Sequence, residues 1–217
     1  ISESVKSYHL QTGHLDPDTQ IEVIPYGYTS SSSSPLPYDW TSWEHTQYRP
    51  LRIATVARLT PQKDLPTLLR SVALLQARGI RVDLRIAGDG QDRARLSQLI
   101  EELDLALSVR LIGRISNPEQ FIAGADVFVL PSRYEGLGLV LLEAMAVRTP
   151  IVAARNTAIQ EVVLDEETGF LFHSGQAEDL ATKLITVVNS PDVCNQLVDA
   201  GVQRLHKHFS VDSMYIK

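Results

Sequence analysis

The chain has one cysteine, Cys194, in 217 residues, so no disulfide can close within it, and no cluster of Cys and His has the spacing of a zinc site. A reducing compartment fits, and no metal is expected. Positive charge is also in short supply: 20 Lys and Arg face 26 Asp and Glu, a net charge of −6. Binding to a nucleic-acid backbone or an anionic membrane draws on cations that displace condensed counterions, so nucleic acid is not an expected partner. No run approaches the roughly 18 apolar residues of a membrane-spanning helix, and no export signal with a charged start, apolar stretch and cleavage site is found. The chain begins at Ile1 and not at methionine, which reads as a processed protein or an excised piece of a longer one. What is present suits a globular domain: 44% hydrophobic and 21% charged residues, too apolar for a disordered chain.

The composition changes at Thr29. Residues 29–37 read TSSSSSPLP and run into a polar, Pro-flanked stretch with neither helical nor alternating period, the pattern of a linker or surface insertion over 29–50. Before it, residues 2–12 predict a short helix and 21–24 a short strand leading into Pro25. Too little chain lies there to bury a core alone. From Leu51 the pattern is regular. Strands are predicted at 51–57, 82–87, 109–112, 127–130, 151–154 and 170–172, and helices at 64–78, 92–103, 118–124, 139–147, 177–188 and 192–208. Largely apolar strands alternating with helices indicate an α/β fold, a doubly wound parallel sheet of Rossmann-like type covered on both faces. Such sheets bind ligands beyond the carboxyl ends of their strands, which directs attention to the residues just after each one.

After the first strand come Arg58 and, five positions on, Lys63, on a loop that feeds a helix start. A planar guanidinium fork and an ammonium so placed could cradle an anion, or could be two solvated charges. After the second strand, Gly88-Asp89-Gly90 either lets a ligand approach the backbone or merely shapes a turn. It is no dinucleotide fingerprint, because the third glycine of G-x-G-x-x-G would fall at Arg93. The segment after the fourth strand is richer. Gly136 and Gly138 flank Leu137 directly before an apolar helix beginning near Leu139, so helix-start N–H groups can face an anion unobstructed. Glu143 interrupts that apolar helix. A carboxylate there needs hydrogen-bond donors, either a partner arginine or ligand hydroxyls. Glu135, on the loop ahead, can reach the same crevice or face solvent.

The segment from Glu135-Gly136-Leu137-Gly138 to Glu143-Ala144-Met145-Ala146, with its E-x7-E spacing, resembles the signature of family 4 glycosyltransferases, whose GT-B fold pairs two Rossmann domains. Further pieces follow in the family's order: VARLTPQKD, IAGDG, LIGRIS, ADVFVLPS, TPIVAA and EETGFLF. The resemblance covers residues 51–209 and implies the carboxyl-terminal, donor-binding half of a GT-B enzyme. Residues 1–28 are similar to the tail of the amino-terminal acceptor domain, with 29–50 as linker and 51–217 as donor domain. By position the resemblance makes Arg58, Lys63 and Glu135 catalytic. Arg58, Lys63, Gly138 and Leu139 would meet the donor diphosphate, and Glu135, Gly136, Leu137 and Gly138 the donor sugar. Glu143 would accept the ribose hydroxyls, and Arg114, Ile115 and Gly88 would line the base. The implied activity is retaining, metal-independent transfer of a hexose, glucose by default, from a UDP-sugar to a polysaccharide or glycolipid acceptor held by the other domain. The UDP-sugar is donor substrate and no cofactor is implied. The setting would be cytoplasmic, including the inner membrane face by peripheral association. Departures from the pattern include Ala57 and Asp64 where glycine is common, Leu137 where phenylalanine is usual, and Asn156-Thr157-Ala158 in place of a glycine-rich turn ahead of the position of Glu161.

Two other readings compete. A glycoside hydrolase would use Glu135 and Glu143 as its carboxylate pair, but that leaves Arg58 and Lys63 without a role. A non-catalytic nucleotide-sugar-binding module would keep the fold without the chemistry, against which stands the intact set of charged residues. His206, His208, Arg204 and Lys207 on the last helix read as a solvated face.

Overall fold

Successive side chains of a strand point to opposite faces, and the alternation sorts this chain's apolar residues into two cores. In the computed structural model, which describes residues 6–7, 10–12, 27–29 and 49–211, the strands are β1 (Leu51–Val56), β2 (Val82–Ala87), β3 (Val109–Gly113), β4 (Val127–Leu130), β5 (Ile151–Arg155) and β6 (Phe170–His173). All pair in parallel, in the order β3-β2-β1-β4-β5-β6. The helices are α1 (Leu65–Ala77), α2 (Arg93–Glu102), α3 (Pro118–Ala123), α4 (Leu139–Ala146), α5 (Thr157–Val162), α6 (Ala177–Asn189) and α7 (Pro191–His208). Ile53, Val127, Val129, Val152 and Phe172 join α1, α2 and α6 in one core. Ala54, Phe128, Leu130, Ala153 and Leu171 join α3, α4, α5 and the end of α7 in the other. The doubly wound Rossmann-like architecture is therefore as the periodicity predicts.

Three expectations need correction. The second face is covered only in part: Arg85 on β2 and Arg110 and Ile112 on β3 are exposed, because no helix among the described residues returns over that end of the sheet. The six residues of α5 form a helix that their composition does not announce; Asn156 starts it by accepting the Ile159 N–H. A short 3-10 turn, Pro61–Lys63, precedes α1. Of the predicted amino-terminal elements, residues 6, 7, 10 and 11 are helical, and the strand at 21–24 lies outside the described residues, as do positions 30–48.

The order places β1 beside both β2 and β4, in the register Val56↔Ala87 and Ala54↔Phe128. Winding reverses direction between β1 and β4, which leaves a crevice at their carboxyl ends. The Thr55 hydroxyl donates across this seam to the Val129 carbonyl at 3.0 Å. At the other end, buried Asp126 receives Arg49 through two bonds of 2.6 and 2.8 Å and the Arg52 N–H at 2.8 Å, which fixes where the chain enters β1. Among the described residues no helix is long and apolar enough to cross a membrane.

Candidate functional site

The loops after β1 and β4 are sewn together over the crevice. Arg133 N–H donates to the Gln62 carbonyl at 2.9 Å, and the Gln62 amide donates to the Tyr134 carbonyl at 2.9 Å. Asp64, in the left-handed region with φ 44°, turns the chain from the 3-10 turn into α1, which accounts for glycine being common at its position. Asp64 compensates by local bonding: its carboxylate accepts from the Thr67 hydroxyl at 2.9 Å and faces Arg133 at 3.4 Å. This stitching brings the Lys63 ammonium to the Glu135 carboxylate at 2.5 Å, with side chains only 14% and 9% exposed. Glu135 is thus no solvent-facing loop residue. Lys63, read beside Arg58 as one half of an anion cradle, is directed to Glu135.

Arg58 lies in a separate part of the crevice. It is exposed and lines a cleft of about 380 Å³ with Val56, Gly88, Arg114, Ile115 and Pro118. Arg114, Ile115 and Gly88 thus gather at one place. Gly88 has a reason to be glycine that is independent of any ligand: a Cβ there, at φ 131°, would lie 1.9 Å from the Ala57 carbonyl oxygen. The β1 and β2 loops interlock backbone to backbone and form the cleft floor.

The α4 start is built as its glycines suggest. Gly138 caps the helix in a left-handed conformation, φ 73°, and its carbonyl accepts the Leu141 N–H at 2.8 Å. The first turn of any helix presents N–H groups without intrahelical acceptors, and here these belong to the segment that opens at Leu139, a residue 41% exposed. Leu137 packs against the second core. Around Gly136 an added Cβ meets nothing within 4 Å, so packing does not demand glycine there.

Glu143 is the unresolved charge. It is half-buried on α4, and no hydrogen bond or ion pair reaches its carboxylate among the described residues. Among the described residues no arginine pairs with it, as a structural role would have required. Burial, with the charge of Glu119 as a second cause, holds its carboxyl above the usual range.

Glu119 was not marked by sequence reasoning. Its only local signal is the helix start Asn117-Pro118-Glu119, in which Asn117 accepts the Gln120 N–H at 3.0 Å. Asn156 was likewise missed as a brace: its amide donates to the Ser132 carbonyl at 3.0 Å and holds the post-β4 loop to the start of α5. Arg204 corrects the reading of the last helix as a solvated face. Its guanidinium donates to the Glu161 and Val162 carbonyls at 2.7 and 2.9 Å, capping the end of α5. His206, Lys207 and His208 are exposed, as expected.

The sequence profile of the group 1 glycosyl transferases matches residues 44–204. A lipopolysaccharide core biosynthesis glycosyltransferase of Rhizobium meliloti is 32% identical over 162 residues, covering 75% of this chain and 46% of that protein. A capsular polysaccharide biosynthesis glycosyltransferase of Staphylococcus aureus is 26% identical over 99% of this chain and 60% of its own length. The chain thus spans about half the length of the curated relatives it matches. Among solved structures, S. aureus TarM, in a complex containing UDP, superposes over the whole chain and 41% of its own with TM-score 0.84 at 19% identity. Anabaena HepE in complex with UDP covers 82% of this chain and 50% of its own with TM-score 0.72 at 24% identity. By the extent of the profile match and the identity to a curated member, the chain belongs to the group 1 glycosyl transferases.

Proposed function

We propose that this chain is the donor-binding domain of a retaining, metal-independent family 4 glycosyltransferase of the GT-B type, taking a hexose, glucose first, from a UDP-sugar to a polysaccharide or glycolipid acceptor. The observation that carries the reading is Glu143: a half-buried carboxylate without a hydrogen-bond or ion-pair partner among the described residues, on the helix that follows β4 beside the switch point. Such a group is costly in the free protein and is answered by a ligand that brings hydroxyl donors, as a ribose does. The rest of the crevice complements such a nucleotide. The cleft beside Arg114, Ile115 and Gly88 has room for a base, Arg58 at its edge offers a fork to a diphosphate, and the α4 start offers N–H groups to the same charge. Solved neighbours bound to UDP and to UDP-glucose, and relatives named for polysaccharide synthesis, support the choice of donor and pathway class.

In the reaction so assigned, the bond between the anomeric carbon and the departing phosphate oxygen breaks as the acceptor oxygen bonds to that carbon on the same face. The acceptor proton passes to the leaving phosphate oxygen. Charge on the departing diphosphate is met by Arg58, the helix start and Lys63, while Glu135, held by Lys63, faces the donor sugar hydroxyls. The acceptor belongs to the rest of the protein, joined through residues 1–28 and a linker at 29–50. Pairing of Glu135 with Lys63 gives that lysine a role for which the hydrolase reading has no use. Calorimetric titration of the chain with UDP and then UDP-glucose tests the reading. Binding below about millimolar (a free energy beyond roughly −4 kcal/mol) is expected, Arg58→Ala weakens UDP far more than uridine, and no binding at millimolar nucleotide overturns it. Donor binding without transfer by the complete protein would favour the non-catalytic module.

A further inference from the structure

The floor of the cleft beside Arg58 bonds its own main chain. Ala57 N–H donates to the Ala87 carbonyl at 2.9 Å, Gly88 N–H to the Gly113 carbonyl at 2.7 Å and Leu59 N–H to the Asp89 carbonyl at 3.0 Å. The Ala57 carbonyl is turned onto Gly88 so closely that a Cβ there would not fit. The Asp89 carboxylate is held to its own loop: it accepts the Gly90 N–H at 2.9 Å and stands 4.0 Å from the Arg93 guanidinium. These floor groups are engaged with one another before any ligand arrives.

The remaining lining is of another kind. Val56, Ile115 and Pro118 give apolar surface, which covers any flat ring alike. Arg114 is exposed and has no hydrogen-bond or ion-pair partner among the described residues. A guanidinium plane stacks on a base whatever its edge carries, because every base has a π face. The Ile115 N–H and C=O make no hydrogen bond among the described residues, which leaves one donor and one acceptor at the rim. Uracil answers such a pair with O4 and N3–H, and adenine answers it with N1 and N6–H. At about 380 Å³ the cleft falls within the roughly 300–1,000 Å³ of small-molecule sites, and size excludes neither ring.

We propose that this cleft selects a base by its flat shape and not by its edge, so that the chain binds adenine nucleoside diphosphates as it binds uracil ones, and the donor class widens to UDP- and ADP-sugars. The inference rests on the donor reading above and deepens it. Hydrogen bonding rejects a wrong ligand strongly, by roughly 10⁴-fold, where a site holds polar groups which that ligand leaves unpaired. In this cleft the floor groups are paired with each other whichever base is bound. A purine in place of a pyrimidine strands none of them, and Arg114 stacks on both.

The test is calorimetric titration of the full chain with UDP, ADP and ribose 5-diphosphate, which carries the same charge and no base. UDP and ADP are expected to bind within about tenfold of each other, and both more tightly than ribose 5-diphosphate. Arg114→Ala is expected to weaken UDP and ADP alike, by about tenfold, and to narrow their advantage over ribose 5-diphosphate. ADP weaker than UDP by more than about tenfold, a loss in Arg114→Ala confined to one nucleotide, or equal binding of all three ligands overturns the inference while the donor reading stands. Absence of binding by UDP and ADP at millimolar concentration overturns both.

Discussion

The two carboxylates eight positions apart in the E-x7-E segment occupy opposite electrostatic settings. Glu135 sits where two loops are stitched through Gln62, by its carbonyl and its side-chain amide, and meets the Lys63 ammonium at 2.5 Å. Glu143, half-buried on α4, is paired with no cation among the described residues and feels the charge of a second carboxylate, Glu119. In the first region the free protein has already satisfied its charges, so geometry is set before any ligand arrives. In the second it has left one charge unsatisfied, and a ligand with hydroxyl donors lowers its energy on arrival. On the donor reading the first region is therefore preformed and the second is completed by its ligand, although both residues belong to one motif.

The comparison breaks most visibly at Lys63. Lys63→Met leaves Glu135 nearly buried beside no cation, which costs about 3 kcal/mol and lowers the melting temperature by roughly 6–12 °C. The double variant Lys63→Met/Glu135→Gln recovers most of that loss, and a thermal-melt cycle measures the coupling. If the cycle shows no coupling, the pair is not the brace described. At the other carboxylate the effects divide. Glu143→Leu weakens UDP by about 2 kcal/mol, roughly 30-fold, through loss of hydrogen bonds to a charged group. The same change stabilises the fold by about 1 kcal/mol, as replacement of an unpaired half-buried charge does. A loss of both affinity and stability would place Glu143 in the scaffolding class.

The smallest effect is one of pH. Because burial raises the folded-state carboxyl of Glu143 above its unfolded value, protonation favours the fold. That contribution is fully present below the unfolded pKa and is lost as pH rises through the folded one. Melting curves of the parent and of Glu143→Gln, taken from about pH 4 to about pH 8, are expected to diverge as pH rises, with the parent falling behind. Cys194 offers a comparison in the core: burial pushes its thiol up to about 12, so thiol reagents should label it only on unfolding.

The sheet was legible because its signals are local. A short continuous apolar run such as Val127–Leu130 and three-and-four spacing in Leu65–Ala77 need no knowledge of the rest of the chain. Strand-end logic then collected Arg58, Lys63, Glu135 and Glu143 without a coordinate. What stayed hidden depends on contacts between distant positions. The Tyr28–Glu119 bond joins residues 91 positions apart, and Arg204 reaches carbonyls 42 and 43 positions back; no periodicity encodes either. The six-residue α5 was missed for another reason: unlike the equally short α3, it has no proline at its start to mark it. The pairing of Lys63 with Glu135 was not foreseen, since it depends on a stitch between loops about 70 positions apart, made by the Gln62 carbonyl and side-chain amide.

The interlock of Gly88 with Ala57 bears on how such a site could diversify. Any side chain added at Gly88 would collide with main chain, which has no rotamer to move aside. The floor of the cleft is therefore closed to variation by point substitution. On the donor reading, redesign of nucleotide choice has the rim to work with, at Arg58, Arg114 and Ile115, and a library randomised there should retain folded members where one randomised at Gly88 should not.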